Sequence, residues 1–62
     1  MKNWSELVDV NGRTFYVDFT KIEAVGAHGE CQSIILLNGG HKIYTNHRPA
    51  EIIRMMNEIL GA

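Results

Sequence analysis

The sequence predicts an α+β domain: a five-stranded antiparallel β-meander with one C-terminal α-helix packed on one face. Three observations carry that expectation. Asn11-Gly12 and Asn38-Gly39 each stand between runs that alternate or are rich in β-branched and aromatic residues. Ile34, Ile35, Leu36 and Leu37 are consecutive. Behind Pro49, the residues Ile52, Met55, Met56, Ile59 and Leu60 fall at i, i+3, i+4, i+7 and i+8, the spacing of one apolar helix stripe.

The first hairpin is expected from "ELVDV" and "RTFYV" around Asn11-Gly12. A type I′ turn needs φ > 0 at both central positions, which Asn-Gly tolerates best. Paired strands are therefore expected at about 5–10 and 13–17. "DFTK" (18–21) breaks the pattern and reads as a turn, with Asp18 or Thr20 bonding nearby backbone N–H groups. A third strand follows at 22–27, and His28-Gly29-Glu30 make the next turn. "CQSIILLNGGHKIYT" is a second hairpin, with strands at about 31–37 and 41–45. Its turn centres on Asn38-Gly39 or Gly39-Gly40, and the choice of register decides which side chains share a face.

The helix is expected over 49–60. Pro49 suits the first helical position, where its missing N–H costs nothing. Glu51 lies in the first turn beside the positive end of the helix dipole. Glu51, Arg54 and Glu58 share the wet face, and Gly61 is a natural stop.

One domain spans residues 1–62. A chain of this size buries only about 60% of its unfolded surface, so outside help is expected from a metal, a disulfide or self-association. Cys31 is the one cysteine, which rules out an internal disulfide and suits a reducing, cytoplasmic setting. The helix can cover only one face of the sheet, whereas residues 34–37 are apolar on both. A homo-oligomer, most simply a two-fold dimer, is expected to cover the other face through Ile35, Leu37, Phe15 and Tyr16.

The chain is 45% hydrophobic and 21% charged, which is the composition of a globular domain. Six basic against seven acidic residues leave a formal charge of −1, which argues against non-specific nucleic-acid binding. No apolar run approaches the roughly 20 residues of a membrane helix. "MKNWSELVD" has no apolar central region, so no secretory leader is expected.

His28, Cys31, His41 and His47 spell H-x2-C-x9-H-x5-H, superficially a four-ligand zinc set. Hairpin topology separates them. His28, Cys31 and His47 belong at one end of the sheet and His41 at the other, roughly 17–20 Å away. At most a three-ligand site of His28, Cys31 and His47 survives, and no cofactor is expected. Cys31 next to a histidine could be an activated thiolate, but no orienting group or oxyanion hole accompanies it, so an enzyme is not expected. The remaining cluster is basic. Helix N-termini attract anions, and Arg48 could fork onto one. His47, Arg48, Lys42, Tyr44 and His28 are therefore the candidate ligand-binding residues, with Tyr44 or Trp4 as a stacking surface for a base.

Three stretches, "VNGRTFYVDFTKIEAV", "SIILLNGGHKIYT" and "RPAEIIRMM", resemble the FlbD/SwrD family of small flagellar and motility proteins over about residues 7–60. The resemblance implies the β-meander plus helix and a motility accessory role, and it carries no catalytic motif.

The sequence thus points to a non-enzymatic, homo-oligomeric binding protein of bacterial or phage origin. Its partner is another protein or a small anionic ligand, such as a nucleotide, at a subunit interface. A nucleic-acid-associated regulator using Lys2, Arg13, Lys21, Lys42 and Arg48 is the alternative, and a flagellar accessory protein is the second.

Overall fold

The computed structural model describes residues 3–61. Five strands precede one helix: β1 (Trp4–Val8), β2 (Thr14–Asp18), β3 (Ile22–His28), β4 (Gln32–Leu37), β5 (Lys42–Thr45) and α1 (Pro49–Leu60). A 3-10 turn, Phe19–Lys21, joins β2 to β3. Among the described residues, no helix is long and apolar enough to cross a membrane.

All strand pairings are antiparallel, as expected, but they do not form one five-stranded meander. β1 pairs with β2, and β3–β4–β5 form a separate sheet. The two are stitched at one corner between β1 and β5. Asp9 bridges Thr45, Val10 donates its N–H to the Tyr44 carbonyl at 3.0 Å, and Asn46 donates to the Val8 carbonyl at 3.0 Å. The order across the seam is therefore β2–β1–β5–β4–β3, and β2 never lies beside β3. A meander is excluded because the 3-10 turn after β2 swings the chain away before β3 begins.

One turn differs from expectation, and a second resolves a register that the sequence leaves open. Asn11 does not have positive φ, so the first hairpin is not type I′. Its closing pair is Asp9 and Arg13, with the Asp9 N–H donating to the Arg13 carbonyl at 2.8 Å. Gly12 alone takes the left-handed region, with φ 84°. That is the three-residue loop in which a type I turn ends on a left-handed glycine. Asp9 explains the preference: its Oδ1 accepts the N–H groups of Asn11 at 2.9 Å and Arg13 at 2.8 Å. In the second hairpin Leu37 donates to the His41 carbonyl at 2.9 Å, leaving residues 38–40 as the loop. This fixes the register that the sequence left open.

The 3-10 turn forms where "DFTK" predicted one. Asp18 caps it, accepting from the Thr20 N–H at 3.0 Å and the Thr20 hydroxyl at 2.7 Å. These two bonds, first the hydroxyl's and then the amide's, hold the Asp18 carboxyl below its usual pKa of 3.8, with Lys21 adding a smaller pull.

Leu7, Val17, Phe19, Ile35 and Ile52 form the buried core, with Val25, Leu37, Ile43, Met55, Met56 and Ile59 packed around it. Each fully buried apolar side chain of this size contributes on the order of 1.5–3 kcal/mol relative to exposure. The helix lies across β3, β4 and the 3-10 turn. It ends as predicted at Gly61, with φ 71° and its N–H bonded to the Asn57 carbonyl at 3.1 Å. Leu60, expected in the core stripe, is the last helical residue and 40% exposed.

The parity of β4 also corrects an expectation. Ile35 is 0% exposed and belongs to the core cluster with Ile52 of the helix, so it cannot form an oligomer surface. Alternation along the strand puts Ser33, Ile35 and Leu37 on the helix side and Ile34 and Leu36 on the open side. Ser33 is tolerated inside because its hydroxyl meets that of Thr45 at 2.7 Å, each satisfying the other.

Candidate functional site

The start of the helix was the leading candidate for an anion site, and its geometry is already filled by the chain itself. Thr45 ends β5, and its Oγ1 accepts the His47 N–H at 3.3 Å, which turns the chain toward the helix. Arg48 is the N-cap, in extended conformation with φ −73° and ψ 152°. Having no acceptor atom, its side chain cannot bond the first-turn amides. Glu51 reaches back instead: Oε1 accepts the Arg48 N–H at 3.2 Å. That bond is the main reason the Glu51 carboxyl titrates below its usual 4.5, with His47 and Arg54 helping. A carboxylate placed there occupies the positive end of the dipole that an external anion would need.

His47 is equally committed. Its Nε2 accepts the backbone N–H of Val8 at 3.4 Å, and its Nδ1 lies 3.6 Å from Glu51 Oε2. Nε2 is thus an acceptor, and Nδ1 faces the carboxylate. The imidazole therefore links β1 to the helix start.

The other candidates separate into neighbouring places. Arg48 directs Nη2 to the Cys31 sulfur at 3.8 Å, and Cys31 is exposed in the β3–β4 turn. His28, at the end of β3, stacks edge-on against Tyr44 of β5 with ring centroids 4.7 Å apart. Lys42 lies with Arg13 and Tyr44 along a depression of about 250 Å³ beside the first hairpin. Among the described residues, no three of the His, Cys, Asp and Glu side chains come together as a metal site, and His28, Cys31 and His47 stay apart. In the basic set proposed for nucleic acid, Lys2 lies outside the described residues. Arg13 and Lys42 do share a depression, whereas Arg48 reaches Cys31 instead.

The larger recess lies elsewhere. It is an open cleft of about 290 Å³ between β2 and the β4–β5 turn. Its apolar walls include Trp4, Phe15, Leu37 and Ile43, and Lys21 and His41 stand at its rim. The cleft exists because the helix covers only the β3–β4 half of the inner face. Phe15 and Ile43 line both this cleft and the smaller depression, which are separate recesses. Three residues expected at an oligomer surface, Phe15, Tyr16 and Leu37, meet at this cleft. Sequence reasoning missed the cleft because nothing local in Phe15 or Ile43 reveals how far the helix reaches.

Comparison with family models, with curated proteins and with solved structures found no match to this chain.

Proposed function

We propose that this chain is a non-enzymatic, homo-oligomeric binding protein that acts by holding another protein. The observation that carries this reading is the open face of β3–β4–β5. Ile34 and Leu36 project there beside Ala24 and Gly26 on one side and Tyr44 and Lys42 on the other, while the helix lies on the opposite face. Gly26 brings the strands' side chains close: a Cβ placed on it would meet Ile34 Cγ2 at 3.4 Å. Such a shallow, apolar surface suits a second copy better than solvent. The occupied helix start, with Glu51 at the dipole and His47 bonded to Val8, favours a protein over a small anion. The motility role implied by the FlbD/SwrD resemblance is one setting for such a protein and rests on the sequence pattern alone.

Light scattering at micromolar concentration tests the proposal. The expected mass is a multiple of 7.0 kDa. Leu36→Glu should return it to a single chain with an unchanged circular dichroism spectrum. A wild-type mass of one chain would overturn the oligomer.

A further inference from the structure

Both hairpins carry an Asn-Gly pair in an exposed turn, Asn11-Gly12 and Asn38-Gly39. Asn-Gly is the sequence least hindered against attack by a backbone nitrogen on a side-chain amide, because glycine has no Cβ beside that nitrogen. The two turns hold their pairs differently. In the first, the nitrogen that would attack is engaged: Gly12 donates its N–H to the Asp9 carbonyl at 3.0 Å. Asp9 Oδ1 takes the N–H groups on either side, Asn11 at 2.9 Å and Arg13 at 2.8 Å. In the second turn the closing bond falls one residue further past the asparagine. Gly40 donates to the Leu37 carbonyl at 3.2 Å, and the Gly39 N–H has no acceptor among the described residues.

The surroundings of Asn38 are also reactive. His41 lies against Gly39: a Cβ placed on that glycine would meet the ring's Cδ2 at 3.4 Å and its Nε2 at 3.6 Å. An imidazole, the commonest general base in proteins, therefore stands beside the Gly39 backbone, within reach of its amide directly or through one water. Gly39 and Gly40 have φ of 89° and 83°. Two successive glycines can rotate toward ring closure without moving either strand. Asn38 itself is anchored, its N–H bonded to the Lys21 carbonyl at 2.9 Å, and Lys21, Asn38 and His41 line one cleft.

We propose that Asn38 is a site of self-catalysed deamidation with His41 as the base, and that Asp9 protects Asn11 from the same reaction. The Gly39 nitrogen attacks Asn38 Cγ while His41 takes its proton. The bond from Cγ to the side-chain nitrogen breaks, the proton passes to that nitrogen, and ammonia departs from a succinimide ring. Water then opens the ring at either carbonyl, giving aspartate or its β-linked isomer at position 38. Each conversion adds one negative charge, so a cleft lined by Asp18, Lys21 and His41 gains a second carboxylate. The reaction does not depend on the binding role proposed above.

Incubation of the full chain at neutral pH tests the proposal, with released ammonia measured and both turns followed by peptide mapping and isoaspartyl methylation. In the folded protein Asn38 should convert at least about fivefold faster than Asn11, the ratio that the net worth of one backbone hydrogen bond sets. In denaturing urea the two rates should converge. His41→Gln should slow Asn38 in the folded chain and leave its rate in urea unchanged. Asn11 is read in the same sample, so general loosening of the variant would raise both rates, whereas loss of the base lowers only that of Asn38. Equal rates in the folded chain, faster conversion of Asn11, or a contrast that persists in urea would overturn the site. An Asn38 rate that His41→Gln leaves unchanged would overturn the base.

Discussion

Val8 donates its backbone N–H to the Nε2 of His47, 39 positions along the chain. Where β1 runs past the end of β5, this imidazole takes the place of the next strand carbonyl. Its other nitrogen faces Glu51, so one side chain joins the first strand to the last element. His47→Ala should cost about 1 kcal/mol, the typical net worth of one hydrogen bond. For a domain of this size that lowers the melting temperature by roughly 4–8 °C. Amide exchange at Val8 should quicken more than at Leu7, whose N–H belongs to the β1–β2 ladder. Unchanged exchange at Val8 would contradict the bond.

Glu51 makes stability depend on acid pH. Its folded carboxyl titrates below 4.5 because it accepts the Arg48 N–H. A depressed folded pKa means the charged form is favoured by folding. The contribution is therefore complete above about 4.5 and disappears as pH falls through the lower folded value. Urea midpoints measured from pH 6 down to 2 should decline through that window. In Glu51→Gln the midpoint should be lower at pH 6, and the decline should be shallower.

Asp9 holds the first turn with a nearly buried carboxylate that takes two backbone N–H groups on one oxygen. Asp9→Ala strands those donors and should cost about 1–3 kcal/mol. Asp9→Asn keeps an acceptor and should cost less. Equal losses in thermal melts would show that the charge, paired at 3.5 Å with Arg13, matters more than the turn bonds.

Ser33 and Thr45 offer a cleaner measurement. Either Ser33→Ala or Thr45→Val alone leaves a buried hydroxyl without its 2.7 Å partner and should destabilise by about 1–3 kcal/mol. Thr45→Val also loses the acceptor for the His47 N–H, so it should be the worse of the two. The double variant should recover part of the summed loss. Strict additivity in denaturant melts would deny the coupling.

The parts of this fold that were legible in the sequence have local causes. Pro49, the Ile52–Ile59 spacing and Gly61 specify the helix within their own few turns. Gly12 and Gly39 mark their hairpins, although the sequence suggested the wrong turn at Asn11 because Asp9's two bonds were not anticipated. The parity of β4 is not legible locally because residues 34–37 are apolar on both faces. Ser33 faces inward because Thr45, 12 residues on, supplies its hydrogen bond. At the helix start, Glu51 beside the dipole was legible three residues from Arg48, whereas the bond from the Val8 N–H to His47, 39 residues apart, was not. The β1–β5 seam and the cleft it helps to frame depend on pairings that no window of the sequence contains.

That seam also sets the order in which the molecule can assemble. Both hairpins close loops of a few residues and can form early, as local events. Joining Val8 to Asn46 and Val10 to Tyr44 closes a loop through most of the chain, at an entropic cost that only the completed core offsets. The seam is therefore expected to form late in folding. Until it forms, β1 and β5 both expose raw edges, so crowding of nascent chains endangers this protein during its assembly more than after it.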